Sequence, residues 1–323
     1  MQPDCQHEPR PREWRATSES VIWTVPEPLA VAEARMDDGT AIVLRRHGKA
    51  TGPRLVLSHA NGFAADAYYP FWALLAEKFD IVVYDLRNHG WNTVGPIDAH
   101  AIPTFVRDNA SIARAIDAHF GAKPRIGVFH SVSGQVAAIE ASAAVDAYAA
   151  LVLFDPFICP PGCDPGDREL LRSTLRQLAE GARRRRTVFE TKAAYAERLE
   201  RTPAFEQLRE GVADLLAQTT LRPTVDGTGE ELRCPREYEA RIYEQGFEFA
   251  ASVDLETLAC PVKVIGSDPA TPHTFLPTVS MRELLALDYD FVPETSHFLQ
   301  LEEPEECAAT AMQFIAEAVP DTV

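Results

Sequence analysis

Apolar and polar positions along the chain follow two rhythms. Short continuous apolar runs, each closed by a polar corner, recur from residue 54 onward: Arg54–Ser58, Asp80–Asp85, Ile126–Phe129, Ala149–Phe154, Pro261–Ile265 and Leu287–Val292. Between them lie stretches whose apolar residues fall three and four apart, as in Tyr69–Phe79 (Phe71, Leu74, Leu75, Phe79), Ile102–Phe120 and the closing Pro304–Val319. Continuous runs suit strands buried on both faces, and the wider spacing suits helices with one buried face. Their alternation predicts an α/β fold, a mostly parallel sheet with helices on both sides. Ahead of it, Leu29–Arg35 and Ala41–Arg46 are strand-like, and Asp37-Asp38-Gly39 between them is a hairpin signal.

The alternation breaks at Pro156. From Pro160 to about Ala250 the pattern is helical without strands: Asp167–Glu180 (Leu171, Leu175, Leu178), Glu190–Arg201, Ala204–Gln218 and, after a turn at Asp226–Gly229, Pro235–Phe249. An insertion of that length, placed between strands of one sheet, would stand over the sheet as a cap. The division expected is residues 1–28 as an N-terminal extension of low order, 29–157 as the first part of the core, 158–255 as a helical cap and 256–323 as the second part of the core.

Composition narrows the function. With 323 residues, 46% of them hydrophobic, the chain can bury a large core without covalent staples. The net charge of −17, from 31 Lys+Arg against 48 Asp+Glu, argues against nucleic acid or an anionic membrane as partner and leaves a small-molecule substrate. The one basic run, Arg183–Arg186, reads as a solvated helix face. Cys5, Cys159, Cys163, Cys234, Cys260 and Cys307 are scattered without a disulfide framework. Cys159-Pro-Pro-Gly-Cys163 has a zinc-like separation but no second Cys or His pair near it, so no metal or other cofactor is expected. Met1–Trp14 is polar and lacks the apolar core of a signal peptide, and no apolar stretch approaches a membrane span; the cytoplasm is the expected compartment.

In a parallel sheet, ligands bind beyond the carboxyl ends of the strands, and that is where the polar corners fall. Arg125–Ala138 reads as strand, sharp turn, helix, with His130-Ser-Val-Ser-Gly134 at the turn. A serine there is held out from the backbone beside a helix N-terminus, so Ser131 is the candidate nucleophile. The pattern G-x-S-x-G is half met: Phe129 and Ser133 stand at the glycine positions, and the large Phe129 is expected to reshape the turn. An alcohol needs a base, and the base an orienting acid. His297, after the last strand, is the candidate base; His59, His89 and His130 come from other corners and are expected to line or brace the site. Asp268 and Asp155 each follow a strand and could reach the imidazole, whereas Asp85 reads as a partner for Arg87 or a loop amide. The oxyanion donors expected are the Val132 N–H with that of Phe63 or Gly62. His59, Asn61, His130, Tyr68, Tyr69 and Trp72, with Phe205, Tyr238 and Tyr243 of the cap, are candidates for the pocket wall.

Ser58-His-Ala-Asn-Gly-Phe63, Asp85-Leu-Arg-Asn-His-Gly90, Phe129-His-Ser-Val-Ser-Gly134 and Thr295-Ser-His-Phe-Leu-Gln-Leu-Glu-Glu-Pro304 follow one another in an order that resembles the α/β-hydrolase superfamily. The chain is most similar to its single-domain capped hydrolases, over about residues 30–323, and Glu231–Ala240 resembles a cap segment of one branch. The resemblance implies an eight-stranded-type sheet with the cap inserted after the sixth strand, Ser131 as nucleophile and His297 as base. It places the acid at Asp268, with Asp155 as the alternative because Gly266-Ser-Asp268 is one residue shorter than usual. It implies hydrolysis of a small or medium carboxylic ester, thioester or lactone without a cofactor. Carbon–carbon bond hydrolysis, cofactor-free haloperoxidase or hydroxynitrile lyase chemistry on the same triad, or a non-catalytic binding role, are the alternatives.

Overall fold

The computed structural model describes residues 21–159, 164–250, 253–270 and 288–320. The core sheet takes strands β1 (Ala30–Arg35), β2 (Ala41–Gly48), β3 (Arg54–Ser58), β4 (Asp80–Tyr84), β5 (Arg125–His130) and β6 (Ala150–Phe154). The insertion contributes β7 (Val188–Phe189), β8 (Leu221–Pro223) and β9 (Glu230–Leu232), and the chain returns to the sheet as β10 (Val262–Gly266) and β11 (Asp288–Phe291). The eight core strands lie in the order β1-β2-β4-β3-β5-β6-β10-β11. β1 and β2 form an antiparallel hairpin with Ala30 opposite Arg46, β2 runs antiparallel to β4, and each later neighbour pair is parallel. The expected α/β sheet is therefore observed, with the insertion following its sixth strand.

Strand residues alternate between two cores. Val56, Phe129, Leu151 and Leu153 join the cluster that holds Ile112 and Ile116 of the helix Ile102–Phe120 and Val136 of the helix Val132–Ala143. Leu55, Leu57, Val128, Val152 and Phe154 join the opposite cluster, with Ala308, Ala311 and Ile315 of the helix Pro304–Ala318. β3, β4 and β6 are buried along their whole length, which is why their sequences carry no polar alternation.

Three expectations need correction. The insertion is not purely helical: β7, β9 and β8 form a small antiparallel sheet beside the helices Pro165–Arg184, Lys192–Glu200, Val212–Thr220 and Arg236–Ala250. These strands are two or three residues long, too short to carry a period, and they exist because distant segments pair. In place of one helix over Tyr69–Phe79, the chain makes a succession of short helical turns from Ala65 on, Ala65–Tyr68, Tyr69–Trp72 and Ala73–Leu75. Residues 204–211 are a turn and a loop ending at Gly211 (φ +80), where a Cβ would fall 2.2 Å from the carbonyl oxygen of Val21; the helix starts only at Val212. Val21 belongs to an extended segment that docks on the cap, with Trp23 Nε1 donating to the Glu210 carbonyl at 2.9 Å. The low order expected for residues 1–20, and Cys5 and Cys163, lie outside the described residues. No helix among the described residues is long and apolar enough to cross a membrane.

Gly127 positions the strand that leads to Ser131. A Cβ there would meet Phe129 Cε2 at 2.5 Å and Leu151 Cδ2 at 2.6 Å. Gly127→Val is expected to destabilise the fold by about 1–3 kcal/mol through overpacking, seen as a lower urea midpoint with an unchanged slope.

Candidate active site

β5 ends at His130, the following helix begins at Val132, and Ser131 joins them at φ 58°, ψ −121°. Such a conformation costs an L-residue on the order of 1–3 kcal/mol and persists only where its surroundings fix it. Here the Ser131 N–H donates to the Phe154 carbonyl at 2.9 Å, and the Ser131 carbonyl accepts from Gln135 N at 3.0 Å. Ser133 closes the corner: its hydroxyl donates to the His130 carbonyl at 2.8 Å and accepts from His130 N at 3.0 Å. Phe129 does not reshape the turn. Its ring is buried edge-on against Tyr84 and Tyr148, in space that Gly127 leaves by having no side chain.

The His297 imidazole bridges two strand ends. Nε2 lies 3.0 Å from Ser131 Oγ, and Nδ1 lies 2.9 Å from Asp155 Oδ2. Asp155 follows β6 at φ 39°, and its carboxylate also accepts from Ser267 Oγ at 3.0 Å and Ser267 N at 3.3 Å. The carboxylate brought to His297 is thus that of Asp155, the alternative, and not that of Asp268. The Asp268 carboxylate instead accepts from Ala270 N and Glu294 N, both at 2.8 Å, and so ties the turn after β10 to the loop after β11. Strand order supplies the reason: β6 lies directly beside β5, which carries Ser131, whereas β10 is one strand farther away. The His297 ring also stacks on Phe157, with centroids 6.0 Å apart and planes 9° apart.

The other histidines brace the loops. His130 Nε2 donates to the His297 carbonyl at 2.8 Å, so its Nδ1 is left to accept from the Tyr68 hydroxyl at 2.7 Å; that hydroxyl in turn accepts from Ala60 N at 3.2 Å. His59 accepts the Leu86 N–H at Nε2 (3.0 Å) and donates from Nδ1 to the Ala60 carbonyl (2.7 Å). His89 donates from Nδ1 to the Arg87 carbonyl and accepts the Gly62 N–H at Nε2, both at 3.0 Å. Each ring uses one donor and one acceptor and is therefore neutral. Burial pushes His59 below its ordinary value and His89 and His130 well below it, and drives His100 down to about 3. Asp85 takes Arg45 at 2.7 Å and the loop amides of Ala65 and Trp91, while Arg87 pairs with Asp108 and Asp38.

These bonds move the expected oxyanion donors. The Gly62 N–H is spent on His89, and the Phe63 N–H on the Ala60 carbonyl at 3.2 Å. In this loop it is the Asn61 N–H that has no acceptor among the described residues, and the Val132 N–H at the start of its helix has none either.

A cavity of about 280 Å³ opens over Ser131 and His297. Of the pocket candidates, Asn61, Phe205 and Tyr243 line it, and so does Phe63; His59, His130, Tyr68, Tyr69, Trp72 and Tyr238 do not. Trp72 is buried in the core with Nε1 on the Ala65 carbonyl, and the Tyr238 hydroxyl donates to the Gly95 carbonyl at 2.8 Å. Phe189, Tyr195, Arg185, Arg186, Arg198 and Glu239 also line it, and no motif in the chain signals them. The solvated face expected for Arg183–Arg186 holds only for its first half. Arg183 pairs with Glu244 and Glu237 and Arg184 with Glu180 at exposed positions, but Arg185 and Arg186 lie past the helix end and turn to the cavity. Among the described residues, one buried group has metal-ligand types, His89, His100 and Cys234. Its donor atoms lie within 4.8 Å of one another, and both ring nitrogens of His89 are already bonded, to the Arg87 carbonyl and the Gly62 N–H.

A model of the alpha/beta hydrolase family matches residues 55–310. The chain belongs to this family. The α/β hydrolase is similar in structure to an E-2-(acetamidomethylene)succinate hydrolase, with a TM-score of 0.66 at 19% identity over 88% of this chain and 99% of that one. It is also similar to the thioesterase domain from the curacin biosynthetic pathway (0.64, 19%, 88% and 99%) and to a thermophilic esterase from Thermogutta terrifontis (0.59, 18%, 90% and 99%). At such identities the likeness shows the fold alone. No curated protein matches the sequence.

The neutral buried histidines make stability depend on pH. In the unfolded chain a histidine takes up its proton near pH 6.5; folded His100 does so only near 3. The unfolded state thus binds more protons as pH falls, and stability present above pH 6.5 is lost on the way down to about 3. The urea midpoint is expected to be lower at pH 5 than at pH 7, and His100→Asn should show a smaller drop than the wild type.

Proposed function

We propose that this α/β hydrolase cleaves a small or medium carboxylic ester, thioester or lactone through an acyl-serine intermediate. The observation that carries the reading is the unbroken chain of hydrogen bonds from Asp155 through His297 to Ser131 at the floor of a cavity. Ser131 Oγ attacks the carbonyl carbon as His297 Nε2 takes its proton. Asp155 holds the Nδ1–H, fixes the tautomer and balances the imidazolium that forms. The Asn61 and Val132 N–H groups receive the developing oxyanion, each worth on the order of a hundredfold or more in rate. The alcohol or thiol leaves with the proton from His297. Water then enters, His297 takes one of its protons, and the hydroxide equivalent attacks the acyl carbon to release the carboxylic acid and restore Ser131. The strained backbone at Ser131 holds the hydroxyl out toward the substrate before it arrives.

The test uses p-nitrophenyl esters of graded chain length. Ser131→Ala is expected to lower kcat by at least about a thousandfold and to abolish labelling by an organophosphonate. Asp155→Asn is expected to lower kcat by about a thousandfold or more, and Asp268→Asn by only a few-fold. A wild type that turns over no ester or thioester, or labelling that persists without Ser131, overturns the reading. Loss in Asp268→Asn greater than in Asp155→Asn overturns the assignment of the acid.

A further inference from the structure

The cavity over Ser131 runs against the charge of the chain as a whole. The protein carries −17, yet three arginines line this cavity, Arg185, Arg186 and Arg198, against a single lining carboxylate, Glu239. That carboxylate is already engaged, paired with Arg185, which also donates to the Tyr195 hydroxyl at 3.3 Å. The other two guanidinium groups have no carboxylate partner among the described residues. Arg186, an exposed residue at the cavity wall, lies over the Phe189 ring, 5.2 Å from its centroid, with Nε on the Val188 carbonyl and its terminal nitrogens not engaged by a carboxylate among the described residues. Arg198 stands in the last turn of the helix Lys192–Glu200. Elsewhere the arginines of this acidic chain are mostly matched with acids, as in Arg45 with Asp66 and Asp85, Arg54 with Asp80 and Arg87 with Asp108.

Another part of the cavity wall is apolar. Phe63, Phe205 and Phe298 stack there, with centroids 4.9–6.4 Å apart, close to His297. A ligand that meets both kinds of wall has a reactive acyl group over Ser131 and a charge that answers the arginines. Guanidinium groups bind carboxylate and phosphate through paired, charge-assisted hydrogen bonds. A cationic pocket in an otherwise negative surface also draws anions out of a field that repels them.

Resting on the reading of Ser131 as nucleophile, we infer that the substrate carries a second, anionic group, a carboxylate or phosphate remote from the scissile carbonyl, held by Arg186 and Arg198. Arg185 is held in the wall by Glu239 and Tyr195. The enzyme is thus selective for charged half-esters over neutral esters of the same length.

The experiment compares the p-nitrophenyl half-ester of glutaric acid with p-nitrophenyl pentanoate, and with the ω-phosphonate analogue of the half-ester. The wild type is expected to prefer an anionic ester by at least tenfold in kcat/KM at low salt, mostly through KM, with the preference shrinking as ionic strength rises. The better of the two anionic probes names the group. Arg186→Gln and Arg198→Gln should each lower the anionic-to-neutral ratio about tenfold, and Arg35→Gln, on the distant hairpin, should leave it unchanged. A wild-type ratio at or below one, or a ratio unmoved in the double variant, overturns the inference. Calorimetric binding of glutarate and of inorganic phosphate separates this failure from failure of the serine-hydrolase reading. Binding that is lost in the double variant, in an enzyme that turns over no ester, sinks the hydrolase reading and keeps the anion site. Absence of both binding and turnover sinks both.

Discussion

Three segments far apart in sequence meet at the Asp155 carboxylate. It leaves the end of β6, takes the hydroxyl and amide of Ser267 at the exit of β10, and receives His297 Nδ1 from the loop after β11. A buried carboxylate without such partners would be costly, so the three loops are held in one arrangement by what the acid requires. Asp155 and Ser131 are both non-glycine residues at positive φ, placed at the ends of adjacent parallel strands. One imidazole spans the gap between them, and its orientation is set from both sides.

A second layer of support comes from neutral imidazoles used as connectors. His130 links Tyr68 to the His297 carbonyl, and Tyr68 reaches the Ala60 amide. His59 and His89 join the corner after β3 to the corner after β4. A neutral ring offers one donor and one acceptor on opposite sides, which suits it to bridging two backbone groups that water cannot reach. These bonds consume the Gly62 amide, and a turn bond consumes that of Phe63, whereas the Asn61 amide has no acceptor among the described residues. The oxyanion geometry proposed for the enzyme follows from which amides the braces have already used.

The cap completes the site with a chemistry unlike the core's. Helix ends and short strands bring aromatic rings and arginines over Ser131. The helices Pro165–Arg184 and Arg236–Ala250 pack on each other through apolar positions such as Leu175 against Gly246. Arg185 and Arg186 lie beyond the helix end at the cavity wall, and the salt bridge between Arg185 and Glu239 fixes one of them against the neighbouring helix.

The α/β sheet, the insertion after its sixth strand, and Ser131 with His297 at the sheet edge were legible in the chain itself. Continuous apolar runs report burial on both faces, and polar corners report strand ends; both are local properties that each segment carries alone. The choice between Asp155 and Asp268, the Asn61 amide in place of Gly62 or Phe63, and the cavity-facing half of Arg183–Arg186 were not legible. Each depends on which strands are neighbours, which donors are already bonded, and where a helix ends relative to another. Those are relations between segments distant in sequence, fixed only when the strands order themselves and buried polar groups must find partners. The sequence by itself determined the elements and the types of residue at their ends; the tertiary structure alone decided which of those residues meet, because hydrogen bonds in a dry interior are set by strand order and competition for partners.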